Sequence, residues 1–198
     1  GNPVRREIAG MDQPAPIAAG RPLHLLVVGG SLGAQALNEG LPAAIAQLDA
    51  VIRPEIRHQA GRGKAQATLA AYREQGIGAT VSEFVDDMAE AYGWADLVVC
   101  RAGALTVSEL MAAGRAAVLV PFPHAVDDHQ TANARFLTEA GAARLLPQHE
   151  LTARSLAQLL QTLLSDRALL HAMGRHAYRV AQRDATGRVA DVCEELAA

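Results

Sequence analysis

Cys100-Arg101-Ala102-Gly103-Ala104-Leu105-Thr106-Val107-Ser108-Glu109 follows the short apolar run from Ala95 to Val99 and opens into a helical pattern. The stretch reads as a strand, a glycine turn and the first turns of a helix. The first N–H groups of such a helix have no intrahelical acceptor and sit at the positive end of its macrodipole, so a phosphate would find donors at Ala104, Leu105 and Thr106. Glu109 lies a turn further in. Its two carboxylate oxygens could accept from a pair of vicinal hydroxyls, as on a ribose, while the phosphate occupies the tip. Taken alone, the segment fits equally well a strand-to-helix turn whose Thr and Ser only cap the backbone.

A second glycine turn bears on that choice. Leu23-His24-Leu25-Leu26-Val27-Val28 is a buried-strand pattern running into Gly29-Gly30-Ser31-Leu32-Gly33-Ala34 and a helical stretch that ends near Leu48. The pattern predicts strands at 23–28, 55–59, 79–84, 95–99, 117–121 and 142–146. Helices are expected at 34–48, 64–75, 86–93, 104–113 and 128–139, with three closing helices from Thr152 onward. Such alternation predicts an α/β fold, a Rossmann-like doubly wound parallel sheet. In the common strand order 3-2-1-4-5-6, the first and fourth strands lie side by side where the winding reverses. The Ser31 turn and the Gly103 turn would then face one crevice.

Composition narrows the classes. At 198 residues, 50% hydrophobic and 20% charged, the chain can bury a core of ordinary domain size. A net charge of -3 with 18 scattered basic residues gives no nucleic-acid footprint. Cys100 and Cys193 are too few and too far apart for a disulfide framework or a zinc site, which fits a reducing cytoplasm. The longest apolar runs, such as Ala116 to Phe122, are too short to span a bilayer, so any membrane contact is expected to be peripheral. The opening Gly1-Asn2-Pro3-Val4-Arg5 and the proline-bearing Met11 to Pro16 read as a junction over residues 1–20 ahead of a domain at 21–198, and the chain as a fragment.

Several chemistries compete for these motifs. Gly29-Gly30-Ser31-Leu32-Gly33 matches the G-x-S-x-G elbow of serine hydrolases, and His124, His129, His149, Asp127 and Asp128 follow it. Against that alternative, such an elbow normally follows several strands, and only a linker precedes this one. A dinucleotide dehydrogenase would want G-x-G-x-x-G and an acidic residue closing the second strand, where this chain has Gln59-Ala60-Gly61. Gly61-Arg62-Gly63-Lys64 lacks the first glycine and the Ser or Thr of a phosphate loop and reads as a surface turn with a basic rim. The cluster from His124 to Gln130 could bind a divalent metal, cap the next helix, or join Asn133 in hydrogen bonding to sugar hydroxyls. Asp86 and Asp87 read as a helix cap.

Five ordered motifs resemble the carboxyl-terminal half of the MurG family: Gly1 to Arg5, Gly29 to Ala34, Glu83-Phe84-Val85-Asp86-Asp87-Met88, Cys100 to Glu109 and Asp127 to Gln130. The resemblance covers nearly the whole chain. The resemblance implies one half of a GT-B glycosyltransferase, with the donor nucleotide held mainly by this second domain. The family moves N-acetylglucosamine from UDP onto a lipid-linked muramyl-pentapeptide, converting lipid I to lipid II for peptidoglycan.

By that resemblance Arg5 and Ser31 would contact the diphosphate side, and the backbone of Val85 would read the uracil edge. Ala104, Leu105 and Thr106 would hold phosphate, and Val107 and Ser108 would also contact the donor. Glu109 would take the ribose hydroxyls, and Gln130 with Asn133 would grip the sugar. UDP-N-acetylglucosamine is the implied donor, with no obligatory cofactor or metal. The implied partners are an amino-terminal domain of the same enzyme, carrying the base and binding the lipid I acceptor, and other cell-wall enzymes. No catalytic residue is expected in this chain. The location implied is cytoplasmic, peripheral on the inner membrane.

Overall fold

A computed structural model describes residues 2–30, 34–123 and 129–197. Six parallel strands form one sheet: β1 (His24–Val28), β2 (Glu55–Gln59), β3 (Thr80–Ser82), β4 (Leu97–Cys100), β5 (Ala116–Leu119) and β6 (Ala143–Leu145). Their order is β3-β2-β1-β4-β5-β6, which is the doubly wound order expected from the sequence. The helices are α1 (Arg6–Ala9), α2 (Gln35–Ala46), α3 (Ala65–Glu74), α4 (Met88–Trp94), α5 (Ala104–Ala113), α6 (His129–Glu139), α7 (Ala153–Leu164), α8 (Arg167–Val180) and α9 (Ala185–Ala197).

The continuous apolar runs of the central strands follow from burial on both faces. Alternate residues serve opposite layers. Leu25, Val27, Leu97, Val99 and Val118 pack with Leu37, Leu41 and Ile45 of α2 and with Leu156 and Leu160 of α7. Leu26, Val98, Cys100, Ala117 and Leu119 pack with Ile8 of α1, Tyr92 of α4, Val107 and Leu110 of α5 and Leu137 of α6.

Two boundaries differ from expectation for identifiable reasons. β3 stops at Ser82 because the Glu83 carbonyl accepts from the side chain of Gln59, 2.7 Å away, instead of continuing a ladder. α4 starts at Met88 because Asp87 is its cap, accepting from the Glu90 N–H at 2.9 Å. The opening segment, expected as a linker, is laid along the domain. Ile8 is fully buried. The Pro14 carbonyl accepts from His171 at 3.1 Å, and the Met11 carbonyl from the Tyr178 hydroxyl at 3.4 Å.

Gly114 ends α5 in the left-handed region, with φ of 63°. Above it Gly174 of α8 packs so closely that an added Cβ would lie 2.6 Å from the Gly114 carbonyl oxygen. A backbone atom cannot yield there. Gly174→Ala should therefore cost about 1–3 kcal/mol despite alanine's better helix propensity, read as a lowered midpoint in urea unfolding.

A buried polar chain crosses the α2 side of the sheet. Nδ1 of His58 lies 3.0 Å from the Tyr72 hydroxyl, and Nε2 lies 3.0 Å from Oδ1 of Asn38, whose amide donates to the Ala60 carbonyl at 3.0 Å. Because Oδ1 only accepts, Nε2 carries the proton and Nδ1 accepts from the tyrosine. Burial pushes the imidazole from 6.5 down to about 4. The unfolded chain takes up that proton first as pH falls. The neutral ring's contribution is therefore complete above pH 6.5 and lost between 6.5 and about 4, at most roughly 3 kcal/mol. His58→Leu should be less stable at neutral pH by about 1–3 kcal/mol and show a shallower acid limb, measured by denaturant unfolding at several pH values.

Candidate nucleotide site

The site is set by which strand ends are neighbours. β1 and β4 pair in parallel with Val28 opposite Cys100, so the Gly29-Gly30 turn and the Arg101-Ala102-Gly103 turn leave from adjacent carboxyl ends at the reversal of winding. Gly30 has φ of 79°, which a side chain would strain. Ser31, Leu32 and Gly33, the rest of that turn, lie outside the described residues.

α5 begins at Ala104 after Gly103, and no side chain caps it. The reading in which Thr106 or Ser108 caps the helix is therefore not what the structure holds. Ala104 and Leu105 are exposed and Thr106 is half-buried, so the first turn presents its N–H groups at the strand ends. Val107 and Ser108 are buried, and the Ser108 hydroxyl accepts from the Asn2 amide at 3.2 Å. Of the five residues from Ala104 to Ser108 expected to contact the donor, the last two thus face the packing behind the tip.

Glu109, one turn into α5, is held from two sides. Its Oε2 accepts from the Tyr92 hydroxyl at 3.2 Å, and its Oε1 lies 3.7 Å from Nε of Arg5. Tyr92 is fully buried, and burial together with the Glu109 charge pushes its pKa well up, so the phenol stays a donor. Arg5 is exposed and brings a positive charge to the same corner. Arg115, just beyond the end of α5, is engaged elsewhere and donates to the Ala95 carbonyl at 3.2 Å. A carboxylate with one hydrogen bond at Oε2 and an ion-pair contact at Oε1 still has lone pairs for further donors.

Val85 is half-buried in the loop between β3 and α4. Across the crevice, Oε1 of Gln130 accepts from the Phe122 N–H at 2.9 Å, and the Asn133 amide donates to the Ala102 carbonyl at 3.1 Å. Both side chains thus brace the turns after β5 and β4 with one of their functions each. His124, Asp127 and Asp128 lie outside the described residues. Among the described residues no group of three or more His, Cys, Asp or Glu is placed to hold a metal.

Three residues of this corner escaped sequence reasoning. Gln59 closes β2 and bonds both sides of the Gly30 peptide unit. Its signal was an amide where dinucleotide folds carry an acid. Tyr92 gave none beyond an aromatic in a short helix. Arg101 donates to the carbonyls of Val120 and Pro121 at 3.1 and 3.3 Å, tying the turn after β4 to the end of β5. Nothing local distinguishes it from a surface arginine.

Comparison with known proteins agrees with the fold. The chain is 56% identical over its whole length to the UDP-N-acetylglucosamine--N-acetylmuramyl-(pentapeptide) pyrophosphoryl-undecaprenol N-acetylglucosamine transferase of Marinobacter nauticus, covering 55% of that protein. It is 57% identical over 98% of its length to the Chromohalobacter salexigens protein of the same name, covering 54% of it. The crystal structure of Acinetobacter baumannii MurG superposes on 90% of the chain with a TM-score of 0.83 at 49% identity, covering 51% of that structure. The chain thus spans about half the length of the relatives it matches. A glycosyltransferase of kitacinnamycin, with a TM-score of 0.64 at 24% identity, shares the fold. The high identity to N-acetylglucosamine transferases sets aside the serine-hydrolase alternative. Residues 24–189 match the glycosyltransferase family 28 C-terminal domain, and the chain belongs to that family.

Proposed function

We propose that this chain is the donor-binding half of the transferase that moves N-acetylglucosamine from UDP onto lipid I to give lipid II. The observation that carries the reading is the uncapped first turn of α5 at the sheet's switch point, with Glu109 one turn behind it. The N–H groups of Ala104, Leu105 and Thr106 would hold the diphosphate, with Arg5 and Ser31 beside it and the Val107-Ser108 packing fixing the turn. Glu109 would accept both ribose hydroxyls, its carboxylate aimed by Tyr92. The Val85 backbone would meet the uracil edge, and Gln130 and Asn133 the sugar.

In such a transfer the acceptor hydroxyl displaces UDP with inversion, and negative charge builds on the departing diphosphate. A preorganised helix tip stabilises that charge as it develops, with no need of a metal to supply it. The base and the lipid-binding surface would come from an amino-terminal domain of the same enzyme. The enzyme would work in the cytoplasm on the inner face of the membrane. No helix among the described residues is long and apolar enough to cross a bilayer, which suits a peripheral attachment.

Calorimetric titration tests the reading directly. UDP and UDP-N-acetylglucosamine should bind the chain, weakly because the ligand's far face stays solvated, and ATP and NAD should not. Equal affinity for ATP would overturn it. Glu109→Ala should weaken UDP binding roughly ten-fold or more, since a hydrogen bond to a charged group is worth about 1.5–3 kcal/mol. A 2′,3′-dideoxy-UDP should respond little to the same substitution. The four dissociation constants form a cycle, and a coupling energy of zero would remove Glu109 from the site.

A further inference from the structure

Gln59 spans two loops that no backbone ladder connects. Its Oε1 accepts from the Gly30 N–H at 2.9 Å, and its Nε2 donates to the Gly30 carbonyl at 3.0 Å and to the Glu83 carbonyl at 2.7 Å. Both amide hydrogens and the carbonyl are therefore used, and the side chain is 5% exposed. A primary amide bonded to the N–H and the C=O of one residue imitates a neighbouring strand. It extends the sheet by one rung beyond Val28 and Gln59, where Gly30's positive φ has already turned the chain away.

What this rung connects matters more than its strength. On one side is the turn that continues into Ser31. On the other, Glu83 is two residues from Val85. We infer that Gln59 is a positioning residue that fixes the spacing between the diphosphate-side turn and the base-side loop, so that a nucleoside diphosphate is gripped at both ends at once. The inference rests on the donor-site reading above and goes beyond it, because Gln59 itself touches no ligand. Each loop could adapt to half a ligand without help. Only a ligand that spans both loops needs their separation set in advance, and preorganisation of that kind yields affinity by lowering the ordering cost of binding.

Two substitutions separate this role from packing. Gln59→Glu is isosteric, keeps an acceptor for the Gly30 N–H, and when ionised places an oxygen against two carbonyls. Gln59→Met keeps the volume and removes all three bonds. The 198-residue chain would be titrated with UDP, with uridine and with inorganic pyrophosphate, and amide exchange followed at Gly30 and across residues 83–87 without ligand.

The expected result is a loss of UDP affinity of about ten-fold for Met and more for Glu, with uridine and pyrophosphate each changed less than about three-fold. Faster exchange in both loops should accompany it. If UDP, uridine and pyrophosphate weaken in equal proportion, or if Gln59→Glu binds UDP as the unsubstituted chain does, the coupling is overturned while the donor site stands. Unchanged exchange at Gly30 and 83–87 in both variants overturns it independently of any ligand. A parent chain that binds no UDP overturns the donor-site reading and the coupling together.

Discussion

The parallel pairing of β1 with β4 is the constraint on which the site depends. Its register is set far from the crevice, at the opposite strand ends. There the buried Asp96 carboxylate accepts from the His24 N–H at 2.8 Å and from both terminal nitrogens of Arg21 at 2.7 and 2.8 Å. That one side chain binds the start of β1 to the start of β4. Four rungs on, Val28 meets Cys100, and the two glycine turns emerge side by side. A slip of one residue would invert the faces of β1, sending Leu25 and Val27 out of one core layer and Leu26 out of the other. The apolar alternation and the Asp96 clamp thus specify the same register, and the location of the crevice follows from it.

At the crevice the electrostatics are arranged around two fixed charges of opposite sign. The first turn of α5 offers the positive end of a dipole, and Glu109 sits one turn behind it, where its own helix does not satisfy it. A lone carboxylate near that dipole would compete with an incoming anion. Tyr92 and Arg5 temper the competition, the first by a hydrogen bond from a buried phenol and the second by a guanidinium 3.7 Å away. The carboxylate is therefore aimed while its charge is partly offset. A ligand with an anionic group for the helix tip and neutral hydroxyls for the carboxylate suits this pair better than one that is anionic throughout.

Most of the fold was legible because its signals are local or periodic. Leu97-Val98-Val99-Cys100 is buried on both faces, the apolar run from Ala95 to Val99 announces that strand, and Gly103 marks the turn into α5. The placement of Ala104 to Thr106 and of Glu109 followed from that turn and the strand order. What stayed hidden arises from contacts distant in sequence. Tyr92 reaches Glu109 across seventeen residues and Gln59 reaches Glu83 across twenty-four, by side chains whose type alone announces nothing. Ser108 shows the converse: a hydroxyl expected to contact the donor is turned to Asn2, because the period of α5 sends positions 104, 107, 108 and 111 to one face.

The second strand carries the sharpest contrast with dinucleotide-binding relatives of this architecture. There the pyrophosphate rests on the helix after the first strand, and an acid closing the second strand takes the ribose. Here the second strand closes with Gln59, whose three polar contacts are all spent within the protein. The acid stands at Glu109, inside the helix that follows the fourth strand. If Glu109 takes the ribose, moving the carboxylate across the switch point moves the ribose with it, and brings the anion-binding tip and the ribose acceptor onto one helix, about one turn apart. On the proposed reading, the nucleotide then lies over α5 with its base toward the loop that leaves β3. On that reading the crevice of the ordinary fold is kept, and the ligand's direction within it is set by which helix carries the acid.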